Sequence, residues 1–116
     1  MTELEEKLFR KLCYHSQSGT CFCWYPIPAT FFSRTENISY YKVLKTLRSL
    51  RDMGLVTMRV YNHFDDYDGR YHLIRGWELT SEGLKHTICL EEIARIEKEF
   101  DEWLKKYDEM EKQVNE

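Results

Sequence analysis

The sequence predicts a mainly α fold carrying one small β-hairpin, an α+β chain that closes on a long C-terminal helix. Three observations predict it. Ser39 to Met53 places Tyr40, Val43, Leu44, Leu47 and Leu50 at three- and four-residue steps, the spacing of a helix with one buried stripe. Residues 55 to 79 then change to two runs of β-formers either side of Asp68-Gly69, a dipeptide that favours a hairpin turn. From Ile93 to Val114 the residues Ile93, Ile96, Phe100, Trp103, Tyr107, Met110 and Val114 alternate steps of three and four, a heptad seam.

Each element has its own local reason. Leu4, Leu8, Leu12 and Cys13 share one helical face, with Thr2 as N-cap and Glu5 completing a capping box, so a first helix runs to about Ser16–Gly19. Thr20 to Tyr25 is rich in β-formers between Gly19 and Pro26 and reads as a short strand. Pro28 suits the first turn of a short second helix ending near Arg34, because its missing N–H costs nothing there. Thr35-Glu36-Asn37 is the turn, Ser39 or Asn37 caps the third helix, and Gly54 stops it in a left-handed conformation. Leu55 to Tyr61 and Tyr71 to Leu79 are the hairpin strands, with residues 62 to 70 as their loop. Thr80 caps a last helix with Gly83 early in it. Two helices joined by a polar turn, the second basic on its outer face and followed by a hairpin, are the parts of a winged helix-turn-helix. Residues 1–87 form that domain and 88–116 a C-terminal dimerisation helix.

At 116 residues the chain has room for one core, and 15% aromatic content suits a folded protein. It contains no apolar run of membrane length and no secretory leader, so a cytoplasmic protein with reduced thiols and no membrane partner is expected. A net charge of −3 argues mildly against nucleic acid. Its distribution argues the other way. Arg34 to Arg59 holds six basic residues against two acids, whereas Glu91 to Glu116 holds ten acids against five basic residues.

Residues 39 to 83 resemble the winged-helix core of bacterial transcriptional regulators of the PadR and MarR kind. The resemblance is carried by Val43-Leu44-Lys45, by Leu50 to Val56 (LRDMGLV) and by Trp77-Glu78-Leu79-Thr80-Ser81-Glu82-Gly83. It implies DNA contacts from Ser39, Tyr40, Tyr41, Lys42, Lys45 and Thr46, with Arg48 and Arg51 nearer the phosphates. It also implies a dimer made by the terminal helices. The wing departs from the pattern. Its tip reads His63-Phe64-Asp65-Asp66-Tyr67-Asp68, and three carboxylates beside a minor groove would be repelled by phosphate, with Arg70, Arg59 and Arg75 to offset them.

Other constellations are weaker. Cys13, His15, Cys21 and Cys23 could complete a tetrahedral zinc site, but C-x-H-x5-C-x-C lacks the usual C-x2-C knuckle, and packing explains these residues more simply. No nucleophile, base and orienting group can be assembled, so neither an enzyme nor a cofactor is expected. Aromatics around the second helix are read as core, with an unidentified small-molecule effector as a further partner. The expected function is a sequence-specific DNA-binding transcriptional regulator, a repressor, acting as a homodimer on double-stranded DNA. The alternative is a winged helix that binds a protein and never touches DNA.

Overall fold

The computed structural model describes residues 1–17 and 25–114, in the order α1 (Glu3–Gln17), α2 (Ala29–Glu36), α3 (Tyr40–Asp52), β1 (Val56–Asp65), β2 (Arg70–Leu79), α4 (Ser81–Lys85) and α5 (Thr87–Val114). The expected strand over Thr20–Tyr25 lies, for residues 20–24, outside the described residues, and Tyr25 sits in a bend.

α1 begins as the capping box requires. The Thr2 hydroxyl accepts from Glu5 N at 3.1 Å and Glu5 Oε1 accepts from Thr2 N at 3.3 Å. Its buried face, Leu8, Phe9, Leu12 and Cys13, meets Phe32 of α2, Val43, Leu47 and Leu50 of α3, and Cys89 of α5 in one core. Each of these side chains is fully buried, so truncating Phe9 or Phe32 to alanine would cost about 3–5 kcal/mol.

Several boundaries differ from the sequence reading, each for a local reason. Pro28 is the N-cap of α2 rather than its first helical residue. Thr35 and Glu36 stay helical, because the Thr35 hydroxyl donates to Phe31 O and Glu36 is held by two lysines, so the turn shrinks to Asn37–Ser39. Tyr40 leaves the buried stripe of α3 at 46% exposure, and Thr46 takes a place in it. The hairpin ladder continues to Asp65↔Arg70, leaving a four-residue turn where a nine-residue loop was expected. The last helix is broken at His86, an extended residue that separates α4 from α5.

Above its base the wing is a two-stranded antiparallel ribbon. At the base, Ile27 pairs with Trp77 through reciprocal bonds of 2.9 and 2.8 Å, adding a short third rung beside β2. Gly76 sits against Pro26, where a Cβ would come within 2.6 Å of the proline side chain. The Tyr61 hydroxyl donates to Pro26 O at 3.1 Å, and the Tyr25 hydroxyl accepts from Leu79 N at 2.8 Å. The wing is therefore anchored to the segment leading into α2, which ties its aim to the helix pair.

α5 starts by packing on α1. Cys89 and Glu92 are buried, and Ile88 and Ile93 are partly buried against the core. Glu92 is held by Arg95 and by Arg10 of α1, at 3.6 Å from the latter. Beyond this the helix leaves the body. Phe100, Trp103, Tyr107, Met110 and Val114 are all more than half exposed. No helix among the described residues is long and apolar enough to cross a membrane.

Candidate nucleic-acid interface

The candidate surface is built on the α2–α3 turn. Asn37 adopts the left-handed conformation (φ 53°), which asparagine tolerates, and its N–H donates to Ser33 O. Ser33 closes the turn a second time, its hydroxyl donating to Ile38 O at 2.5 Å while Ile38 N donates to Ser33 O. Ser39 is extended and accepts from Lys42 N at 3.3 Å, which satisfies one orphan N–H of the first turn. These contacts fix the angle at which α3 presents its first turns.

The outer face of α3 carries Ser39, Tyr41, Lys42, Lys45, Arg48 and Arg51, all exposed, with Tyr40 beside them. Tyr41 is 84% exposed and packs edge-on against Tyr40. Lys42, Lys45 and Arg48 make no ion pair among the described residues, while Lys7 and Lys11 on α1 are spent on Glu36 at 2.9 and 2.8 Å. The two ammonium groups hold the Glu36 carboxyl below its ordinary value, Lys11 contributing most. Lys7 and Lys11 on α1 are thus neutralised within the fold, whereas Lys42, Lys45 and Arg48 on α3 face solvent. Thr46 was expected on this face, and that expectation is corrected. It is 7% exposed and its hydroxyl donates to Lys42 O at 2.7 Å, because its position falls on the core side of the helix.

A groove of about 450 Å³ runs between α3 and the wing. Arg48 and Arg51 line it from the helix and Arg75 from β2, with Tyr40, Leu44 and Leu73 between them. Arg51 lines the groove beside Arg48, with which the sequence reading paired it, whereas Arg75, read only as an offset to the wing carboxylates, faces them across it. The missed signal was strand parity. Alternation puts Met58, Val60 and Phe64 with Tyr71, Leu73 and Arg75 on one hairpin face, which is the groove side at its base. Arg70 is exposed but stands at the wing tip, roughly 17 Å along β2 from Arg75 at ~3.3 Å per residue. The tip is acidic, as the sequence indicated. Asp66 and Asp68 are exposed, and Arg59 faces Glu78 at 3.9 Å.

The cysteine constellation is not assembled by the described residues, since Cys21 and Cys23 lie outside them. Cys13 instead faces Cys89 of α5; burial first, and the neighbouring thiol second, push its pKa far up, so it is held as an inert thiol. His15 stacks edge-on with Tyr14 and Phe31, and burial lowers its pKa, so it favours the neutral imidazole. With Arg10, Lys11, Glu36, Glu92 and Arg95, these side chains line an open cavity of about 610 Å³ between α1, α2 and α5.

No family model and no curated protein sequence matches the chain. Solved structures do match in fold. The zinc-responsive MarR family member ZitR of Lactococcus lactis superposes with a TM-score of 0.53 at 17% identity, over 94% of this chain and 62% of that one. A ZitR variant in complex with DNA gives 0.51 at 18% identity, over 90% and 59%. A MepR variant from S. aureus gives 0.50 at 16% identity, over 99% and 76%. The chain thus has the winged-helix fold of MarR-family regulators, and it spans about three fifths of the length of the ZitR chains.

Proposed function

We propose that this winged-helix chain is a sequence-specific DNA-binding transcriptional regulator, with α3 as the recognition helix. The observation that carries the reading is the uncompensated basic face of α3 (Ser39, Tyr40, Tyr41, Lys42, Lys45, Arg48) opening onto a groove whose other wall supplies Arg75. A helix of this kind inserts its first turns into the major groove, and arginines toward its end and on the wing reach phosphates. Arg70, opposite Asp65 in the ladder, stands at the tip beside the wing carboxylates. A ZitR variant of the same fold was crystallised with DNA, which supports the reading.

The protein acts as a homodimer through α5, with residues 88–116 as the dimerisation helix. Phe100, Trp103, Tyr107, Met110 and Val114 continue the seam begun by Ile93 and Ile96, and Phe100–Trp103 and Trp103–Tyr107 stack at 6.1 and 5.6 Å. A two-fold pair would read half-sites about one helical turn, ~34 Å, apart, and occupancy of such an operator in the cytoplasm represses transcription. A small-molecule effector would find room in the cavity lined by Tyr14, Phe31, Arg10 and Arg95, where helices of the body meet α5.

One observation favours a second reading, a protein-interaction module. Val60, Phe64, Tyr71 and Leu73 are exposed on one wing face beside an acidic tip, a surface suited to protein. Charge reversal separates the two. Lys42→Glu with Lys45→Glu should abolish binding to genomic DNA fragments in gel shifts while the fold, read by circular dichroism, is kept. Undiminished DNA affinity in that double variant would remove α3 from the interface.

A further inference from the structure

The wing tip contains a cluster that the DNA-binding reading leaves unused. Asp65 closes β1, Asp68 lies in the turn and His72 is the third residue of β2, so the hairpin brings two carboxylates and an imidazole from separate positions to one spot. One ligand atom from each lies within 4.8 Å of the others. The carboxylates are already oriented. Asp65 Oδ1 accepts from Tyr67 N at 2.8 Å and Asp68 Oδ1 from Arg70 N at 2.9 Å, while Asp68 Oδ2 faces His72 Nε2 at 2.6 Å. A second observation comes from the strand register, which is independent of the turn. His63 is directly opposite His72, and cross-strand partners share a face, so a second imidazole stands beside the first.

We infer that Asp65, Asp68 and His72 form a binding site for a divalent first-row transition ion, with His63 or water completing the shell. Imidazole with carboxylate is the donor set of such ions, whereas a calcium or magnesium site would be all oxygen. Ligand bonds of about 2.0–2.2 Å require these atoms to close in by roughly 1 Å, which exposed side chains on a hairpin achieve by rotation. The ion displaces the proton shared between Asp68 and His72 and neutralises a tip where Asp65, Asp66 and Asp68 repel one another. An ordinary Asp68–His72 ion pair would need neither Asp65 nor the opposed His63.

The test is titration of the full chain with Co²⁺, followed by visible absorption and calorimetry, for the wild type and for Asp65→Asn, His72→Gln and Asp66→Asn. The expected result is one ion per chain, with affinity reduced on the order of 10-fold or more in Asp65→Asn and His72→Gln, and kept in Asp66→Asn. Four results would overturn the site: no binding, binding untouched by both ligand variants, an equal loss in Asp66→Asn, which signals diffuse attraction, or a sulfur-to-cobalt charge-transfer band at the first equivalent, which puts the ion on cysteine. No DNA is present in the titration, so its outcome is independent of the DNA-binding reading.

Discussion

Single residues set tolerances that can be measured. Gly83 lies in α4 where a Cβ would come within 2.2 Å of Leu55 O, a backbone atom with little freedom to retreat. Gly54 has open space around it but a φ of +79°. Gly54→Ala should therefore cost about 1–2 kcal/mol, the price of a left-handed alanine. Gly83→Ala should cost more, at or above the ~1–3 kcal/mol typical of overpacking. Urea midpoints order the two, and a milder Gly83→Ala would contradict the close approach of α4 to the α3–β1 corner. Glu36 makes a second prediction. Its carboxyl, 15% exposed, is held below its ordinary value of 4.5 by Lys11 and Lys7, so its contribution is present above that value and is lost as pH falls through the depressed folded value. The stability gap between wild type and Glu36→Gln should be largest near neutral pH and close in acid. A gap that persists unchanged at low pH would mean that the ion pairs contribute nothing. At this scale the caps were legible in the sequence, since Thr2, Ser39 and Thr80 act through bonds to residues three positions away. Thr46 was legible too, since it stands three residues after Val43 and four before Leu50 on the buried stripe, but its polar side chain was read as surface.

At the scale of elements, the sequence carried what is periodic and lost what is made by a neighbour. Helix α3 and the seam of α5 repeat along the chain and were read from spacing alone. The length of the wing was not, because Asn62, His63, Asp65 and Arg70 are polar or charged, and backbone pairing rather than side-chain alternation keeps them in the ladder. The break at His86 was hidden for a related reason: its ring accepts from Ile88 N and packs edge-on against Phe9, a contact that exists only once α1 is in place. The exposed half of α5 supports a prediction at this scale. Trp103→Glu with Tyr107→Glu puts two charges into the seam while leaving Cys89, Glu92 and Ile93 packed on the body. Sedimentation should show the wild type as a dimer and the variant as a folded monomer. A wild-type chain that sediments as a monomer at tens of micromolar would leave the seam for another partner.

The whole molecule separates its charges in space. Its radius of gyration is 17.3 Å, against the ~13 Å of a compact domain of this length, because the wing and α5 both project from the body. The acids of the second half of α5 ride on one projection while the cations of α3 lie on the body. α5 is roughly 42 Å long at 1.5 Å per residue, several times the ~10 Å over which charges interact at 0.1 M salt. On the proposed reading, a net charge of −3 does not decide the affinity for DNA; the number of phosphates that α3 and the wing would neutralise does. Removing one such contact should weaken binding to every sequence alike and flatten the dependence of log affinity on log salt by ~0.9. Lys45→Gln should do so, and Glu109→Gln with Glu111→Gln should leave the slope as it was. Were the acidic pair to shift the slope and Lys45 not, binding would be governed by the field of α5, and the recognition surface would have to be sought away from α3.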